Sequence, residues 1–197
     1  MPKRIRGDWA PSLPFTHRTY RPYVIALGEA ALAWNDLHAS LSMLFCGVMG
    51  GGYVNQFLAV WQNIPSDRAQ REVLKAATLG YTGTEAPLNK GLRESVEFIC
   101  NEATKIEDFR NDALHSPLFA SKGGPVTPMT GLGHIRAKKL SCGPELLGEF
   151  RWFRDRATIL RNFTMEIDHA LASGVGQPWP KMPKLPPRPT KKARAGA

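Results

Sequence analysis

Single apolar stripes at helical spacing limit this chain more than any other feature. Leu27, Ala30, Trp34, Leu37, Leu41, Leu44 and Val48 alternate in steps of three and four, which lines them up on one face of a helix over 24–48. A second stripe, Leu92, Val96, Ile99, Ala103 and Ile106, predicts another long helix. A third, Leu146, Phe150, Phe153, Ala157, Leu160, Thr164, Ile167 and Leu171, predicts the last one. A helix with one apolar stripe cannot bury it alone, so these helices must pack on one another. The expected fold is all-α, an antiparallel helical bundle of four to five helices.

Shorter elements fill the gaps. Gly50-Gly51-Gly52 ends the first helix, and a short helix is expected over 53–61, stopped near Pro65. "SDRAQREVLKAA" reads as a helix capped by Ser66 or Asp67, with Gln70 three residues after Asp67 in a capping-box arrangement. Thr84 is a candidate N-cap for the long second stripe, and Glu85 and Pro87 suit its first turn. Residues 117–143 are rich in Gly, Pro and Thr, which predicts a short β-hairpin insertion turning at Lys122-Gly123-Gly124. The final helix is expected to start near Pro144-Glu145 and end at Gly174 and Gly176. The domain reading is a basic N-terminal extension over 1–22, a helical domain over 23–175 and a proline-rich, basic, disordered tail over 176–197. In that tail Trp179 is expected to be exposed, as a docking aromatic.

Composition excludes several classes. The chain has 197 residues, enough for one domain with a sizeable core. Its 3 cysteines, Cys46, Cys100 and Cys142, have no paired spacing, against a disulfide scaffold and for a cytoplasmic setting. No apolar run reaches the roughly 18 residues of a membrane span, and the basic start lacks the apolar core of a secretory signal. The histidines show no metal spacing and there is no phosphate loop, so neither a metal nor another cofactor is expected. The net charge of +9 sits at the ends: residues 1–22 carry +4 and residues 176–197 carry +6, leaving the middle at −1. Such ends can hold a phosphate backbone without reading its sequence, or serve only for solubility.

The second stripe breaks at "FRNDALHSP", residues 109–117. Its next apolar position holds Arg110. A guanidinium there is drawn partly out of water and needs an anion. An internal partner such as Glu107, Asp112, Glu29 or Asp36 is one answer; a phosphate, which its planar fork matches with two bonds, is the other. His115 falls in the last turn before Pro117, where the carbonyl end of a helix favours a protonated imidazole. It suits either a general acid–base role or a simple cap. Asn111 lies four residues before His115, on the same face. Five residues turn an ideal helix by about 140°, so Arg110 and His115 point apart. They meet only if the helix unwinds, if the arginine's length closes the gap, or if a second subunit supplies one of them.

"RNDALH", an Arg-Asn-x-x-x-His run ending a long helix in an all-helical chain, resembles the motif of the HEPN superfamily (higher eukaryotes and prokaryotes nucleotide-binding domains). The resemblance implies a homodimer whose paired motifs form a metal-independent RNA-cleaving cleft. Carried over, Arg110 binds the phosphate and stabilises its transition-state charge. His115 handles the proton of the 2′-hydroxyl or of the leaving group, and Asn111 supports both. The product is a 2′,3′-cyclic phosphate, and the setting is that of a toxin or phage-defence effector, with an inhibitor protein as a possible partner. Two other readings stay open: a non-catalytic helical module binding a nucleotide or partner protein, and a nucleic-acid-binding protein working through its basic ends. "HIRAKKL" predicts a strand with Arg136 and Lys138 on one face and Lys139 on the other, a candidate grip on RNA. Arg161-Asn162 begins like a second motif, but His169 follows too late.

Overall fold

The computed structural model describes residues 13–81, 86–129, 135–173 and 178–189. Among them are α1 (Arg21–Val48), α2 (Val54–Gln62), α3 (Asp67–Gly80), α4 (Ala86–His115) and α5 (Gly143–Ser173). A two-stranded antiparallel hairpin, β1 (Leu118–Phe119) with β2 (Thr127–Pro128), and a 3-10 turn (Arg136–Lys139) lie between α4 and α5. The fold is thus the helical bundle with a short hairpin before its last helix that the stripes require.

The stripes form its core. Leu37, Leu41 and Leu44 of α1, Leu92, Val96 and Ile99 of α4, and Phe150, Leu160 and Ile167 of α5 are all fully buried. Helices α3 and α4 run antiparallel, as do α4 and α5, where Phe109 packs on Phe153 and Phe98 meets Phe163 edge to face. The first and last helices run parallel: Trp34 meets Phe153 and Gly47 meets Asp168.

Local chemistry sets the element ends. Ser66 caps α3, its hydroxyl accepting from Ala69 N at 3.1 Å. The Asp67–Gln70 capping box does not form. With Ser66 at the cap, Gln70 lies one position too far along, and its amide donates to the Trp61 carbonyl at 3.1 Å instead. The hairpin turns where expected: Gly124 N donates to Ser121 O at 3.0 Å, and Gly123 takes φ 77°, open to glycine at little cost. The Tyr20 hydroxyl, buried, accepts from Ala120 N at 2.7 Å and ties the hairpin to the bundle. Tyr20 and Leu13 therefore join the core, and the folded body begins before residue 23.

Two further expectations are corrected. Residues 135–140 of the "HIRAKKL" stretch are not a strand. Ala137 and Leu140 are buried three residues apart, the period of a 3-10 helix, whereas a strand would have buried alternate residues. The segment 178–189 is extended, as its prolines require, but it is docked rather than detached. Trp179 and Leu185 pack against the core, so the aromatic is half-buried. The proposed Thr84 cap and the Gly174 and Gly176 stops lie outside the described residues.

Candidate functional site at the end of the fourth helix

Helix α4 stays helical through His115, so no unwinding closes the 140° between Arg110 and His115. The Arg110 guanidinium turns toward α1 and the start of α3. It stands 5.6 Å from the Trp34 ring centre and 3.8 Å from Asp67 Oδ2. Its second amino group donates to Asn111 Oδ1 at 2.8 Å. The side chain keeps 29% of its surface in water. His115 is exposed, and its side chain makes no hydrogen bond among the described residues. Arg110 and Asn111 are brought together; His115 is not.

An internal ion pair for Arg110 exists, but with Asp67, which sequence reasoning did not name. Glu107 instead binds Arg71 at 2.7 Å and Arg68 at 3.4 Å. Asp112 pairs with Lys139 at 3.6 Å, and Glu29 with Arg154 at 2.6 Å. Asp36 lines a cleft elsewhere. The Lys139–Asp112 pair sets the 3-10 turn beside the motif, with Arg136 and Lys138 exposed on it.

Behind Arg110 lies a polar cluster that sequence reasoning missed. Asp67 accepts from Trp34 Nε1 at 3.0 Å and stands 3.8 Å from His38 Nε2. The His38 ring packs on Trp34 at 4.7 Å, and its Nδ1 lies 3.4 Å from Gln70 Oε1. Arg71 is fully buried, 3.5 Å from His38 Nε2, with its Nε lacking a partner. Burial pushes the His38 imidazole below its ordinary value, against the pull of Asp67 and with a smaller push from Arg71. No stripe signalled it: the buried face of α3 is Arg71, Leu74 and Thr78, with no apolar period for a cation to interrupt.

The surface around Arg110 is a shallow apolar groove lined by Leu27, Ala31, Ala113 and Leu114. Its interior is about 10 Å³, at the lower limit for a single water. A roomier cleft of about 520 Å³ opens between α1 and α5, with Asp36, Arg161, Asp168 and His169 on its walls. Arg161 donates to Asn162 at 2.9 Å, repeating the Arg110–Asn111 arrangement. Burial raises the Asp168 carboxyl there. Among the described residues no group of three or more His, Cys, Asp or Glu is placed to hold a metal, and no helix is long and apolar enough to cross a membrane. Compared with protein-family models, curated proteins and solved structures, the chain matches none.

Proposed function

We propose that this chain is a HEPN-type, metal-independent RNA endonuclease that acts as a homodimer. The observation that carries the reading is the state of Arg110. Its guanidinium is partly exposed at the end of α4 and held by Asp67 only at 3.8 Å, a loose pairing that a doubly bonding phosphate outcompetes. In the reaction the RNA 2′-oxygen attacks the adjacent phosphorus and the bond to the 5′-oxygen breaks. This leaves a 2′,3′-cyclic phosphate and a 5′-hydroxyl. His115 takes the 2′-hydroxyl proton or supplies one to the leaving oxygen, while Arg110 stabilises the charge on the phosphate. Asn111 holds the guanidinium's orientation through its amide oxygen.

A second copy supplies what one chain lacks. The groove beside Arg110 is too small for a nucleotide, and Arg110 and His115 diverge. Around them Leu114 is 42% exposed, and Val24, one turn before Leu27 on α1, is 57% exposed. An apolar rim of this kind is suited to a self-complementary interface, which sets two motifs against each other. Arg136 and Lys138, on the turn beside α4, then lie within reach of the RNA backbone.

The rival reading is a structural Arg110, favoured by its place over Trp34 and beside Asp67. Incubation with RNA in EDTA separates the two. The proposal expects cleavage by the parent chain, cyclic-phosphate ends, and no cleavage by a folded Arg110→Ala chain. Equal inactivity of the two sinks it.

A further inference from the structure

We infer that the outer face of α4 and α5 is a receptor groove for a proline-rich peptide that carries an arginine. The chain's own segment 178–189 occupies it as a tethered ligand. The segment reads Pro183-Lys184-Leu185-Pro186-Pro187-Arg188, with Trp179 upstream. It forms no helix or strand, and its prolines hold it extended with its carbonyls free to accept.

The groove meets each part of this pattern. The Trp152 indole donates to the Pro186 carbonyl at 3.0 Å, and Arg156 donates to the same carbonyl at 2.9 Å. Arg188 donates to Glu149 Oε1 at 2.9 Å, and its guanidinium lies 5.2 Å from the Phe109 ring centre and 5.6 Å from that of Trp152. Glu149 is 1% exposed, so the groove holds a buried carboxylate whose cation comes from the segment. At the other end the Trp179 indole donates to the buried Ser95 hydroxyl at 3.0 Å. It lies against Gly91, where a Cβ would approach the indole to 3.1 Å. Aromatic walls, an indole donor to a peptide carbonyl, and a carboxylate for a flanking arginine are the means by which proteins recognise polyproline helices.

The segment behaves as a ligand rather than as core, since none of its residues is fully buried. Tethering gives it a high effective concentration, so a free peptide competes only when the tether's own contacts are weakened. The occupant we assign in trans is a Pro-x-x-Pro-x-Arg peptide of a partner protein.

The test uses the full-length chain and a fluorescent synthetic peptide with the sequence of residues 178–189. Anisotropy measures its binding to the parent, to Trp179→Ala and to Leu185→Asp. The proposal expects at least about tenfold tighter binding to the two variants than to the parent. It also expects at least about tenfold loss when Trp152→Phe is added, or when the peptide's arginine is replaced by alanine. Variants that keep their thermal transition yet bind no peptide overturn the proposal. So does loss of that transition in both, which makes the segment an integral part of the fold. If the parent dimerises with concentration and the peptide dissolves the dimer, the groove belongs to a second copy and the partner assignment fails.

Discussion

Arg71 and Arg110 are both cations on core-facing helix positions, yet their surroundings differ. Arg71 is sealed against Glu107 and makes a structural pair. Removing one partner of such a pair strands the other's charge. Arg71→Met is expected to lower the unfolding free energy by about 3–5 kcal/mol in urea denaturation. Arg110 is partly solvated and loosely paired, so Arg110→Ala is expected to cost no more than about 1 kcal/mol. A loss of function in Arg110→Ala then cannot be charged to unfolding. His38 adds a pH dependence. Its folded-state value lies below the ordinary 6.5, so the unfolded chain binds the proton more readily. Stability is present above pH 6.5 and is lost as pH falls through the folded value. Chemical denaturation from about pH 7 to pH 5 should show this decline, flattened in His38→Gln. The groups facing His38 are Asp67, Gln70, Arg71 and Arg110. Arg110 was legible in the sequence because it interrupts a long stripe. Arg71 was not, because the buried face of α3 is Arg71, Leu74 and Thr78, two of them polar, and shows no apolar period.

At the scale of elements, length decided what could be read. The seams of α1, α4 and α5 repeat over many turns, and each stripe residue repeats the same instruction. The 3-10 turn has 4 residues, too few to show whether the period is two or three. The α3 start hinged on one position: Ser66 rather than Asp67 takes the cap, because the Ser66 backbone is extended and its hydroxyl reaches Ala69 N. Ser66→Ala should therefore cost about 1 kcal/mol, while Asp67→Asn acts through Trp34, His38 and Arg110 rather than through a lost cap. A thermal-melt comparison of the two distinguishes these routes: lowering the pH from 7 to 5 changes the Asp67→Asn difference and leaves the Ser66→Ala difference alone.

At the scale of the whole molecule, two features were beyond any local pattern. The proline-rich segment has no periodicity, and its docking depends on Trp152, Glu149 and Ser95, which lie far away in sequence. The separation of Arg110 from His115 follows from helix geometry, and the unbroken α4 keeps it; in the proposed function a second copy joins them. That dimeric, composite site is the central claim. Arg110→Ala and His115→Ala chains, each inactive alone, are mixed in equal amounts and assayed on RNA in EDTA. If one copy gives the arginine and the other the histidine, half the dimers are mixed and carry one intact site of two. The mixture then regains roughly a quarter of parental cleavage. A mixture that stays inactive while the parent cleaves contradicts the account.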